Sequence, residues 1–159
     1  MCFEDWIRVN GLHTSPYNCQ LVLDAMTSLN QRMVQHNDNT RNVLEKLQQT
    51  KLRVCHPALT VHPSHDCVRS SFTPNRQWIS VFTITSFTTK NKILTAMINC
   101  KHIVHRTSFG NPESRTDSPP WPQSNNVNGN NTVTWRISIG YENDVDQVIL
   151  GIKNICSNV

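Results

Sequence analysis

Five residues able to bind a soft metal ion fall within one short stretch: Cys55, His56, His62, His65 and Cys67. Thiolates and imidazoles in that number suit a tetrahedral zinc ion. The spacing argues against it, because Cys55 and His56 are adjacent and no two cysteines are separated by two to four residues. With Pro57 and Pro63 in the same segment, residues 55–67 read as a surface loop whose histidines make hydrogen bonds. A small zinc-binding module is the alternative. The second candidate is Arg136, which lies between Trp135 and Ile137 in an alternating run. Alternation sends its side chain off the face opposite the apolar one. A planar, permanently charged fork on a rigid strand is suited to bidentate capture of a carboxylate. The competing reading is an arginine on a solvated sheet face.

Other chemistries lack their motifs. Serine, histidine and aspartate occur without the Gly-x-Ser-x-Gly turn of a nucleophile elbow. Neither glycine-rich phosphate-binding pattern is present, and no pair of carboxylates is spaced for acid–base work. Among the glycines only Gly110 and Gly140 stand where a turn would require one.

These residues need elements to hold them. Ser15 can cap a helix that has Pro16 at its first position. Val22, Met26, Leu29 and Met33 then recur at spacings of 4, 3 and 4, and Val43, Leu44 and Leu47 resume the stripe. One long or kinked helical segment over residues 16–48 follows, its polar centre at 36–42 exposed. Residues 52–55 predict a short strand, 79–87 a central one, 89–99 a helix with Ile93, Leu94, Met97 and Ile98 on one side, and 101–108 a further strand. Residues 110–131 contain four of the eight prolines and two of the five glycines and read as a long loop. A strand over 132–139 puts Val133, Trp135, Ile137 and Ile139 on one face. A last helix, capped by Asn143, buries Val145, Val148, Ile149, Ile152 and Cys156. The fold class is α+β, a small, mostly antiparallel sheet with helices packed on one side, preceded by a long linker helix.

A length of 159 residues fits one domain. Charge is modest: 15 basic against 11 acidic residues give +4, and the densest basic group is Lys90 with Lys92. That pattern is no nucleic-acid footprint. No apolar run is long enough to span a membrane. The opening residues carry acids and no apolar core, unlike a secretory signal. Six cysteines without a repeated spacing are expected to be mostly buried, reduced thiols, which points to a cytoplasmic setting.

Four segments together resemble a known family. Ser15-Pro16-Tyr17-Asn18-Cys19-Gln20-Leu21-Val22-Leu23, with Leu29-Asn30-Gln31-Arg32-Met33 and His36, resembles the linker helix of the pyridoxal-phosphate enzymes of cysteine and methionine metabolism. Those enzymes include cystathionine gamma-synthase, the cystathionine lyases and O-acylhomoserine sulfhydrylases. His56-Pro57-Ala58-Leu59 with His62-Pro63-Ser64-His65 resembles their proline–histidine loop, and Thr107-Ser108-Phe109-Gly110 with Glu113-Ser114 their serine–glycine turn. Trp135-Arg136-Ile137-Ser138-Ile139-Gly140-Tyr141-Glu142 is similar to the closing strand. The segments occur in the family's order.

By this resemblance residues 1–14 are an N-terminal extension and 15–159 the small C-terminal domain (the PLP-transferase type I small domain), with the large lysine-bearing domain absent. The implied cofactor is pyridoxal 5'-phosphate, and none of Lys46, Lys51 or Lys101 takes the role of its attachment lysine. Arg136 takes the position that grips the substrate's α-carboxylate, Ser108 lies in the turn that helps hold it, and Glu113 matches a position near the substrate entrance. The implied function is substrate α-carboxylate binding in a transsulfuration-type lyase or transferase, inactive without the other domain. The alternative is a non-catalytic partner or decayed paralogue. Implied partners are an amino-acid carboxylate and either further copies of the chain or a full-length relative, with no nucleic acid and no membrane. Two departures stand out: Gly110-Asn111-Pro112 replaces a double glycine, and Asn75-Arg76-Gln77-Trp78 replaces a glycine-rich start to the second strand.

Overall fold

Residues 2–71, 79–117, 126–127, 130–142 and 144–157 are described by a computed structural model. They divide into two units, one ending at Arg32 and the other beginning at Met33.

The first unit holds helices α1 (Phe3–Val9) and α2 (Pro16–Met26), and no residue of either is buried. As the sequence dictates, α2 opens with Ser15 Oγ accepting the Asn18 N–H at 3.2 Å and Pro16 in its first turn. It stops at Met26, and α3 (Leu29–Gln48) begins after two intervening residues, so the expected segment over 16–48 is two helices. The interruption has a local cause. Thr27 Oγ1 donates to Asp24 O at 2.7 Å, drawing the chain out of the helical ladder. Arg32 then donates through Nη2 to Ala25 O at 2.6 Å and through Nε to Ser28 Oγ at 3.2 Å, satisfying a carbonyl that the break leaves open.

The second unit is built on a five-stranded sheet in the order β1-β2-β7-β4-β3. The strands are β1 (Arg53–Cys55), β2 (Val81–Ser86), β3 (Val104–His105), β4 (Arg115–Asp117) and β7 (Val133–Ser138). Only the β3–β4 pair is parallel. Two further short strands, β5 (Asn126–Val127) and β6 (Asn130–Asn131), pair with each other. Alternation decides the faces: Phe82 and Ile84 of β2 and Val133, Trp135 and Ile137 of β7 all point inward and are buried. Helix α3 contributes Val43, Leu44 and Leu47 to that core, α5 (Lys90–Ile98) contributes Ile93, Ala96 and Met97, and α6 (Val145–Ser157) contributes Val148, Ile149, Ile152 and Ile155. The indole of Trp135 meets its polar need by donating to Ser86 Oγ at 3.0 Å. This is the expected α+β architecture.

Several local expectations need correcting. The polar centre of α3 is not exposed: His36, Asn39 and Thr40 are buried. His36 Nδ1–H donates to Ile139 O at 2.8 Å, and Asn39 Nδ2 donates to Gly140 O at 2.9 Å. The chain leaving β7 has carbonyls without a strand partner, and α3 supplies the donors. A helix, α4 (His65–Ser71), occupies the end of the stretch read as loop. The strand expected over 101–108 shrinks to two residues, and β4 lies inside the expected long loop. Ile98 is 61% exposed rather than inward, because Ala96 takes the buried place on α5. Four of the six cysteines (Cys2, Cys19, Cys55 and Cys67) are exposed, and all six are free. Asn143 as a helix cap, the Asn75–Trp78 departure and residues 118–125 lie outside the described residues. Among those described, no helix is long and apolar enough to cross a membrane.

Candidate functional site

The face of the sheet opposite the core is polar, and register defines it. Arg136 in the central strand β7 pairs with Thr83 of β2 on one side and Asp117 of β4 on the other. One register step away, Ser138 pairs with Val81 and Arg115. Thr85 and Thr134 share the face, with their hydroxyls 3.1 Å apart. The backbone at Arg136 is held by Thr116, whose Oγ1 donates to the Arg136 carbonyl at 3.0 Å. A guanidinium carried on such a strand has a defined origin and direction, which a loop residue would lack.

Arg136 is half-buried and only loosely paired. Its Nη2 lies 3.6 Å from Asp117 Oδ2, an ion pair too long for a strong hydrogen bond. Its Nε is shut off from solvent and has no partner. A buried N–H without an acceptor carries an uncompensated desolvation cost, and it is the remaining, partly exposed part of the guanidinium that a ligand can reach. Arg53, also on this face, is engaged differently and lies over the ring of Phe87 at 4.8 Å.

Ser108 lies beyond β3 in the turn that begins with Arg106, and its φ of 87° is left-handed. Serine rarely adopts that conformation, and strain of this kind persists where surrounding structure imposes it. Its exposed hydroxyl reaches Phe109 O at 3.5 Å. Gly110 follows with φ 76°, the turn role its position suggested. Glu113 Oε1 accepts from Arg115 Nη2 at 2.7 Å, and this bond holds its carboxyl below the ordinary range. Ser114 is fully buried and its Oγ accepts the Gly140 N–H at 2.9 Å, tying the turn to the end of β7. Among Arg136, Ser108 and Glu113 themselves no hydrogen bond or ion pair forms. Two residues that sequence reasoning missed, Asp117 and Arg115, are the direct partners of Arg136 and Glu113. Their only signal was the alternation of Arg115-Thr116-Asp117, too short to stand out from the surrounding loop residues.

The histidine loop is built from hydrogen bonds. Buried His56 donates from Nε2 to Ile79 O at 2.9 Å and accepts the Ala58 N–H on Nδ1 at 2.9 Å, so it is neutral; burial lowers its pKa. His62 Nδ1 accepts the Ser64 N–H at 3.1 Å, and His65 Nδ1–H donates to Pro57 O at 2.8 Å. Among the described residues no three potential ligands stand close enough to hold a metal.

Nor do the lysines fit the cofactor that the resemblance implies. All six, Lys46, Lys51, Lys90, Lys92, Lys101 and Lys153, are exposed. Lys46 is moreover ion-paired with Asp146. A lysine that forms an imine is activated by desolvation or a neighbouring cation, and none here has an enclosed position.

Residues 3–155 match the family described as Cys/Met metabolism PLP-dependent enzyme, and the chain belongs to it. Among solved structures it is similar to a protein described as an O-acetylhomoserine (thiol)-lyase from Campylobacter jejuni, with a TM-score of 0.76 at 19% identity. It is likewise similar to cystathionine gamma synthase from Xanthomonas oryzae pv. oryzae, in complex with aminoacrylate and cysteine (TM-score 0.77, 19% identity) and with cystathionine (0.75, 20%). At these identities the likeness establishes the fold. Each match covers 96% of this chain but only 35% of the first protein and 41% of the second. Curated proteins returned no match.

Proposed function

We propose that residues 15–159 act as the small C-terminal domain of a PLP-dependent transsulfuration-type enzyme, with 1–14 as an extension ahead of it. The share of this domain is to hold the α-carboxylate of a sulfur-containing or acylated amino acid. Arg136 grips that group, Ser108 helps from its turn, and Glu113 stands nearer the substrate entrance. The observation that carries this reading is a partly exposed Arg136 guanidinium on the central strand, held only by a 3.6 Å ion pair to Asp117. Fixing one end of the substrate in this way would orient its α, β and γ carbons toward the cofactor. Pyridoxal phosphate, held by a lysine-bearing domain outside these residues, supplies the electron sink of such reactions. The biological setting this suggests is methionine biosynthesis or cysteine metabolism, and six free thiols fit a reducing, cytoplasmic compartment.

The test is kinetic. In an assembly completed with a cofactor-bearing domain, Arg136→Ala should lower kcat/KM by about 2–5 kcal/mol, the cost of removing one partner of a desolvated charged pair. An unchanged kcat/KM would reduce Arg136 to a surface residue.

A second reading, a non-catalytic chain that pairs with a cofactor-bearing relative, is favoured by the first unit. Phe3, Trp6, Val9, Leu12, Tyr17 and Met26 are all exposed there, and a helix as apolar as α2 is normally covered. A chain that stays monomeric at micromolar concentration beside such a relative would count against it.

A further inference from the structure

We propose that His36 and Asn39 of α3 are positioning residues for the turn that carries Ser108, and that they act on it through Gly140 and Ser114. The inference rests on the carboxylate role given to Arg136 and Ser108 above. It starts from the chain leaving β7, residues 139–142, which is held from two sides.

On one side stands α3. His36 and Asn39 are three residues apart and therefore share a face of the helix. His36 Nδ1–H donates to Ile139 O at 2.8 Å, and Asn39 Nδ2 donates to Gly140 O at 2.9 Å and to Tyr141 O at 3.2 Å. The His36 ring also meets the Tyr141 ring edge to face, with centroids 5.2 Å apart. On the other side stands the turn. The Gly140 N–H donates to Ser114 Oγ at 2.9 Å, and the Glu142 N–H donates to Pro112 O at 3.0 Å. Gly140 thus joins the two, its carbonyl bound to α3 and its N–H to the turn. His36, Asn39, Ser114 and Gly140 are all buried, so solvent does not stand in for a bond lost among them.

The turn depends on this anchorage. Residues 106–110 are exposed, so the core does not fix them. Ser108 nevertheless keeps a left-handed φ of 87°, a conformation that persists only where neighbouring structure imposes it. The bonds at Pro112 and Ser114 are the restraints on the far side of the turn. Arg136, by contrast, is fixed by its own ladder with Thr83 and Asp117. Loosening the link from α3 therefore displaces the Ser108 hydroxyl relative to a guanidinium that stays in place, and a carboxylate that needs both is held less well.

The full chain, labelled with 15N, is compared with Asn39→Ala, Ser114→Ala and the double variant. Without ligand, Asn39→Ala should move the amide signals of Ser108 and Gly110 and leave those of Thr83 and Thr134, beside Arg136, unchanged. In Ser114→Ala the reciprocal signal, the Asn39 side-chain amide, should move. Titrated with L-methionine, each single variant should bind about fivefold more weakly, the size of a coupling carried through packed hydrogen bonds. The double variant should bind no more weakly than the weaker single one, because both changes break the same link. Glu45→Ala, an exposed change on the same helix, should alter neither signals nor affinity. Unmoved Ser108 and Gly110 signals in Asn39→Ala, or losses that add in the double variant, would overturn the proposal. If Asn39→Ala does not fold, a still Asn39 signal in Ser114→Ala would overturn it equally. If methionine leaves the Arg136 signals of the unaltered chain in place, the carboxylate role falls instead, while the signals of the free chain still decide whether α3 sets the turn.

Discussion

Replacing Asp117 with asparagine should weaken the fold slightly and strengthen ligand binding. Asp117 Oδ2 and Arg136 Nη2 are 3.6 Å apart. Two unit charges at that separation attract by ~4.6 kcal/mol at an effective dielectric of 20 and by ~1.2 kcal/mol in water. The Arg136 side chain is 28% exposed and that of Asp117 20%, so solvent screens the pair and its net worth is about 1 kcal/mol. Asp117→Asn should therefore lower Tm by about 2–4 °C for a chain of this size. Binding should move the other way. Asp117 and a ligand carboxylate address the same guanidinium, and without the aspartate charge Arg136 should take L-methionine about fivefold more tightly. Calorimetric melts of both chains supply the first number, and an NMR titration that follows the Arg136 Nε–H supplies the second. Weaker methionine binding in Asp117→Asn would refute the reasoning, because it would make Asp117 a support for the bound carboxylate and not its rival.

Two further outcomes follow from the packing. His56 is buried and neutral, with its pKa lowered by burial, whereas the unfolded chain protonates it near the ordinary value of about 6.5. Its contribution is thus complete above that pH and is lost as pH falls below it, so Tm should drop between pH 7 and 5 and His56→Gln should flatten that drop. In α6, a Cβ at Gly151 would stand 2.8 Å from Ile103 Cγ1 and 2.9 Å from its Cδ1. Gly151→Ala should cost about 1–3 kcal/mol from overpacking despite its better helix propensity, and in a denaturation cycle Ile103→Ala should cancel most of that cost; additive losses would exclude the clash.

The core was legible because it obeys short periods. Val133, Trp135 and Ile137 alternate, and Val148, Ile149 and Ile152 follow a helical spacing, so pattern alone identified these inward faces, although it named Cys156 where Ile155 is the buried residue. The same alternation located Arg136 on the opposite face. What escaped depends on partners distant in the chain. His36 and Asn39 look like solvated polar residues until the carbonyls of Ile139 and Gly140 arrive from about a hundred residues away. Asp117 belongs to a three-residue strand whose pairing with β7, not its own composition, orders it. Cys55 belongs to a set expected to be mostly buried, yet it is exposed, and register with Thr83 puts it on the polar face. The site was therefore legible as a single arginine, and its acidic partner was not.

The outermost strands β1 and β3 are only three and two residues long. A foreign strand laid along either margin could form no more than a couple of ladder bonds, so runaway stacking into fibrils has little purchase on this sheet. Growth by edge addition is limited by brevity, and Arg53 in β1 adds a charge to one margin.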